Sequence, residues 1–212
     1  MKKKKISEHY LKSKGLHLNY SIISDLIEKN AKVLDLGCGS GELLKLLKEK
    51  KNISGRGIEI DQDNVISCIE KGISVFQGDL DEGLAEYEEK AYDYVVLSQT
   101  LQWTKKPDYV IDEMLRVGKK GVISFPNFAY WRVRCQLFFG GFMPKSKMLP
   151  FEWFNTPNIH LLTINDFRKF CKERNIKIID ESYTTRACVR NGFFHKLLSN
   201  IFAEEVIFIV TR

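Results

Sequence analysis

Runs that read as strand and runs that read as helix alternate through the first two thirds of this chain. That alternation limits the fold more than any other feature. KVLDLG, GRGIEID, ISVFQGD, YDYVVLSQT and KGVISFPN predict five short strands. Among them, ELLKLLKEK sets Leu43, Leu44, Leu46 and Leu47 at helical spacing, DNVISCIEKG ends on Gly72 as a helix C-terminus does, and PDYVIDEMLRV opens on Pro107. An earlier helix, within residues 16–30, turns Ile22, Ile23, Leu26 and Ile27 to one side. YDYVVLSQT is apolar on both faces, as a central parallel strand is when helices cover both sides of the sheet. Farther on, TINDFRKFCKERN predicts a helix with Thr163 as N-cap and Asp166 three residues later. IKIIDESYTT and EEVIFIVTR predict two more strands, paired antiparallel at the sheet edge. The expected fold is α/β, a doubly wound and mostly parallel seven-stranded sheet with an antiparallel C-terminal edge strand.

The turn between the first strand and its helix is Asp35-Leu36-Gly37-Cys38-Gly39-Ser40-Gly41. Glycines at this point of an α/β fold let backbone approach a nucleotide without a Cβ in the way. In the dinucleotide pattern GxGxxG the third glycine comes one residue later, and the helix start faces a pyrophosphate. Here Glu42 holds that place, and its carboxylate would repel pyrophosphate. A ligand without phosphate, carrying a sulfonium and an ammonium, fits better, and Asp35 points the same way. The ligand expected at Asp35, Gly37, Cys38, Gly39 and Gly41 is S-adenosylmethionine or its demethylated product, S-adenosylhomocysteine. Later strand ends add to the set. Glu59, 24 residues after Asp35, is placed to accept from both ribose hydroxyls. Asp79 is placed to accept from the adenine amine, with Ile60 and Leu80 against the ring faces, and Ser98 and Gln99 border the methionine end. An acid at a strand end is usually a turn or helix cap, so the argument rests on the ordered set.

Composition excludes several classes. Hydrophobic residues at 44% and charged residues at 28% are ordinary for a globular chain, and 212 residues predict one domain. No run is long and apolar enough for a membrane span, and no apolar segment follows the charged start, so neither membrane nor secretion is expected. Cys38, Cys68, Cys135, Cys171 and Cys188 are odd in number and form no CxxC pair, which fits a reducing cytoplasm and predicts no metal site. The net charge of +6 owes four charges to Lys2–Lys5, so no nucleic-acid partner is expected. Residues 1–15 are expected to be a mobile basic terminus.

One stretch departs from the alternation. Residues 125–154 hold ten of the 25 aromatics, where even spreading would put three or four. They predict an aromatic-rich insertion over 125–163, either a lid, an interface or a small subdomain burying its own rings.

LDLGCGSGELL, IEIDQDNV, QGDLDEGL, YVVLSQTLQ, EMLRVGKKGVISFPNFAYWRVR and MLPFEWFNTPNIHLLTINDF together resemble the methionine biosynthesis protein MetW family, within the class I S-adenosylmethionine-dependent methyltransferases. The resemblance covers roughly residues 20–212 and is most specific over SFPNFAYWRVR and PFEWFNTPNIH; the lysine-rich start departs from it. It implies a Rossmann-like methyltransferase fold and a partner, homoserine O-acyltransferase, in methionine synthesis. It leaves the methyl acceptor open. Two readings follow: a cofactor-binding subunit that acts with the acyltransferase, or an independent methyltransferase on a small molecule. Methyl transfer needs in-line positioning, and a general base only if the acceptor must lose a proton. His160 and Tyr130 are the candidates for such a base. Cys38 as a nucleophile lacks an identifiable activating base.

Overall fold

The computed structural model describes residues 14–146, 149–184, 189–190 and 193–212; most of the basic terminus and Cys188 lie outside them. Helix α1 (Lys14–Leu26) leads into β1 (Lys32–Leu36), α2 (Glu42–Lys51), β2 (Ser54–Glu59), α3 (Gln62–Glu70) and β3 (Ser74–Gln77). Then come β4 (Tyr92–Ser98), α4 (Pro107–Val117), β5 (Gly118–Pro126) and α5 (Trp131–Gly140). The chain continues with α6 (Ile164–Glu173), β6 (Lys177–Thr184), β7 (Val189–Arg190), α7 (Phe193–Phe202) and β8 (Glu205–Thr211). Short 3-10 turns, Leu80–Glu82 and Leu101–Trp103, follow β3 and β4.

Local chemistry explains the boundaries. The Asp61 side chain accepts from the backbone of Asp63 and Asn64 at 3.0 and 3.2 Å and starts α3. Gly72, at φ +69°, turns the chain out of it. Thr163 and Asp166 form a reciprocal capping box that starts α6, as the sequence predicts.

The strands form one sheet in the order β3-β2-β1-β4-β5-β8-β6-β7. β1 pairs parallel with β2 and β4, and β4 with β5. The two C-terminal strands pair antiparallel, with Tyr183 opposite Val206. Of the two, β8 lies inward, antiparallel to both β5 and β6, and the two-residue β7 takes the rim. Burial accounts for this placement: β8 is buried at every residue from Glu205 to Val210, whereas β6 is exposed at Asp180.

Alternate residues of each strand enter two cores, as double winding requires. Leu34, Leu36, Val95, Leu97 and Phe125 pack under α4 and α6, while Val33, Val96 and Val122 pack under α1 and α2. The ring of Phe167 lies 5.4 Å from that of Phe125 and 4.7 Å from that of Phe208, fixing α6 to the sheet. From β1 the chain proceeds to β2 and β3 on one side and returns to β4 and β5 on the other. A crevice at the carboxyl ends of strands, where the order reverses, is where open α/β sheets hold ligands. No helix of the described residues is long and apolar enough to cross a membrane.

Candidate functional site

The glycine turn lies at that reversal. Gly37, Gly39 and Gly41 all take left-handed φ values, +72°, +53° and +77°, which is why the turn needs three glycines. They serve different ends. A Cβ on Gly37 would meet Thr100 Cγ2 at 2.5 Å and one on Gly41 would meet Cys68 Sγ at 2.9 Å, so these two are set by packing. Beside Gly39 nothing lies within 4 Å, so this glycine lines open space. Backbone bonds from Gly37 and Cys38 to the Ile58 carbonyl, at 2.8 and 3.1 Å, hold the turn on β2.

Glu59 is buried at the end of β2. Its Oε2 accepts from the Gly39 backbone at 2.7 Å and its Oε1 from the Asp61 backbone at 2.9 Å. A carboxylate oxygen accepts more than one bond, so these contacts orient Glu59 and leave acceptor capacity toward a ligand. Ile60 follows with its side chain exposed. Gly78 donates to the Glu59 carbonyl at 3.1 Å, which draws the end of β3 alongside. Asp79 there caps the turn at Leu80–Glu82, accepting from Asp81 at 2.9 Å, and Leu80 packs partly against the core. Its cap role is the ordinary one for an Asp at a strand end, and the other carboxylate oxygen is not used by it.

Asp35 is buried, and burial, with the nearby Glu59 charge, pushes its carboxyl up to about 7. Cys38 and Cys68 sulfurs lie 3.9 Å apart, and the bond between them, with burial, pushes the Cys38 thiol well up. That makes Cys38 a packing residue of the turn, and a Cβ on Gly57 would strike its sulfur. Glu42 forms an ion pair with Lys71 at 2.6 Å. The pair tempers the repulsion of phosphate expected from Glu42, so the electrostatic case against a dinucleotide rests more on Asp35 and Glu59.

Ser98 and Gln99 lie at the end of β4. Ser98 Oγ is 3.1 Å from Ser124 Oγ and donates to Asn19 at 3.4 Å. Gln99 is a non-glycine residue at φ +58°, buried, with its side-chain nitrogen bonded to Glu205 and its Oε1 unpartnered. Glu205 also accepts from Asn19 and from Thr184. Burial pushes its carboxyl up to about 8 against those hydrogen bonds. Burial, with the charges of Asp35, Glu42, Cys38 and Glu205, likewise pushes the Tyr20 phenol up, which places Tyr20 among these acids. Asn19, Tyr20 and Glu205 were not legible as site residues. One signal was available for Glu205, the second of two adjacent acids, standing at the head of the apolar run VIFIV.

The histidine candidate lies across this end of the sheet. Ile159 and His160 donate their backbone N–H groups to the Gln102 carbonyl at 2.8 and 3.2 Å, and Trp103 donates to Asn158 at 2.9 Å. His160 Nε2 is buried without a hydrogen-bond partner. Tyr130, just before α5, is buried with Val133, Leu149 and Phe128.

The family model described as methionine biosynthesis protein MetW matches residues 17–210. The chain belongs to the MetW family. A relative from Rhodopirellula baltica, named bifunctional methionine biosynthesis protein MetXA/MetW, is 36% identical over 177 residues, covering 79% of this chain and 28% of the relative. The chain thus spans less than half the length of the curated relatives it matches, at 28% and 44%. Among solved structures, a SAM-dependent methyltransferase from Archaeoglobus fulgidus superposes with a TM-score of 0.68 at 16% identity, covering 98% of both chains. The cyclase SpnF superposes at 0.63 and 14% identity, covering 91% of this chain and 80% of that one. The MetW chain therefore has a class I methyltransferase fold, and a fold shared with a cyclase does not by itself fix the reaction.

The aromatic-rich segment forms α5 and the loop after it. This helix was not foreseen within the aromatic insertion. Only Val133 of α5 is buried, and Phe138, Phe139, Phe142, Trp153 and Phe154 are 69–82% exposed. The alternative of a subdomain burying its own rings therefore fails for most of them.

Proposed function

We propose that this MetW chain binds S-adenosylmethionine or S-adenosylhomocysteine at the glycine turn and acts with homoserine O-acyltransferase in methionine biosynthesis. The observation that carries the cofactor half is the pairing of open space at Gly39 with Glu59, held 2.7 Å from the Gly39 nitrogen. The residues fit the group: the open space beside Gly39 for the methionine part, Glu59 for the ribose, and Asp79 with Ile60 and Leu80 for the adenine. Gln99, Ser98 and the acids Asp35 and Glu205 lie on the side that would face the cationic end. S-adenosylmethionine carries an activated methyl on a sulfonium. The chain's part is to orient that group and exclude water. The partner half is supported by family membership and by a relative whose name joins MetXA to MetW in one polypeptide. The expected setting is the cytoplasm.

The second reading, an independent methyltransferase on a small molecule, draws support from His160. Its Nε2 is buried and unpartnered, which leaves it an atom that could take a proton from an acceptor. Two measurements separate the readings. Titration calorimetry with S-adenosylmethionine tests the site, with no binding counting against both. Assay of the acyltransferase with and without this chain tests the partnership, with unchanged activity and no complex counting against the first.

A further inference from the structure

We infer that the face formed by α5 and residues 142–146 and 149–154 is the surface on which the acyltransferase docks; this rests on the partnership just proposed. Five rings dominate the face: Phe138, Phe139, Phe142, Trp153 and Phe154, each at least two-thirds exposed. At about 150–250 Å² per aromatic side chain, they present on the order of 700 Å² of apolar surface. That exceeds the largest patch of an ordinary monomer and matches one partner's share of a standard interface, about 800 Å². Between the end of α5 and the following loop lies an open groove of about 820 Å³ floored by Phe139, Phe142, Met143 and Trp153. A concave apolar floor accepts a protruding side chain or helix from a folded partner.

Charge narrows the occupant further. Residues 131–154 contain Arg132, Arg134, Lys145 and Lys147 and one acid, Glu152. Arg132 stacks over Trp131 at 5.2 Å from the ring, and Lys145 pairs with Glu152 at the groove. The partner surface that fits is apolar at its centre with an acidic rim. A symmetric dimer of this chain would bring the same basic rim against itself, which disfavours a second copy. A membrane would use the rings and the basic residues but not the groove.

The test uses the full chain and the acyltransferase of the same organism. Phe139→Ser combined with Trp153→Ser should weaken the complex at least tenfold, with melting temperature and S-adenosylmethionine affinity unchanged. Phe142→Ser, in the loop, serves if that pair disturbs folding, and should weaken the complex at least threefold. If wild type binds the acyltransferase and both variants bind as tightly, the docking face is wrong while the partnership stands. If wild type does not bind it at all, the partnership itself fails and the docking face with it. Dimerisation in sedimentation, or binding to phosphatidylglycerol vesicles, that is lost in the variants would assign the face to another occupant and overturn the inference.

Discussion

The backbone nitrogen of Gly39 donates to Glu59 Oε2 at 2.7 Å, so the tip of the glycine turn and the acid at the end of β2 are joined directly. One side chain thereby sets the shape of the turn and presents an acceptor beside it. Glu59→Ala should weaken S-adenosylmethionine binding by about 1.5–3 kcal/mol, the range for losing charge-assisted hydrogen bonds. Calorimetry on folded protein decides it, and equal affinities for mutant and wild type would remove Glu59 from the site. NAD should show no measurable binding.

Gly39→Val should abolish cofactor binding while leaving the circular dichroism spectrum that of a folded protein. The space beside Gly39 is open, so a Cβ there meets nothing in the chain itself. It would occupy the volume assigned to ligand. At φ +53° it also carries strain, about 1–2 kcal/mol, so a modest fall in melting temperature is expected. Loss of the fold would instead make Gly39 a purely conformational residue.

Asp35 and Glu205 make stability depend on pH in a defined direction. Both carboxyls are raised by burial, from 3.8 to about 7 and from 4.5 to about 8, so the native state binds protons that the unfolded state has released. Their contribution is fully present below about pH 4 and is lost as pH rises through 7 to 8. Glu205→Gln keeps an acceptor for Asn19 and Gln99 and removes the titration. It should flatten the decline by an amount on the order of a few kcal/mol. Denaturant melts of both proteins between pH 5 and 9 read this out, and parallel curves would show that Glu205 does not titrate there.

A cationic ligand should feel the same acids. If Asp35 faces the ligand's charge, affinity for S-adenosylmethionine should rise with pH up to about 7 and then level. Asp35→Asn should weaken binding at pH 8 and erase the slope. A titration series at constant ionic strength tests it, with a slope unchanged in the variant as the adverse outcome.

Cofactor and acyltransferase should influence each other. The chain returns from the exposed aromatic loop past the turn after β4, where Ile159 and His160 bond to Gln102, so a backbone link joins the face proposed for docking to the strand end proposed to border the cofactor. Any factor by which S-adenosylmethionine changes acyltransferase affinity must equal the factor in the reverse direction. Measuring both sides of that cycle reports the coupling, and a factor of one would mean the two sites act separately.

Much of this was legible in the sequence because it depends on local pattern. Apolar periodicity predicted every strand but the two-residue β7 and every described helix but α5 and α7, and Thr163 with Asp166 announced its own capping box. The glycine turn was readable because left-handed backbone restricts residue choice. What escaped depends on distant partners. α5 was hidden because its sequence, WRVRCQLFFG, buries a single residue and so lacks the one-sided stripe of a packed helix. Glu205 lies 106 residues from Gln99 in the chain, and only the insertion of β8 brings them together. The inward place of β8 itself turns on which of two strands is more apolar, a comparison that strand prediction does not make.

That inward place also orders assembly in time. β1 to β5 can pair as they leave the ribosome, but β6 has only the two-residue β7 beside it until β8 slides between it and β5. Pairings of such long sequence separation form late. Glu205 heads the strand that arrives last, so Gln99 and Asn19 receive their anchor only when the sheet closes. A chain cut short before residue 205 would display its glycine turn beside an open β5 edge, while the polar cluster at the end of β4 would be unset. The arrival of β8 and the completion of this polar cluster are thus a single event.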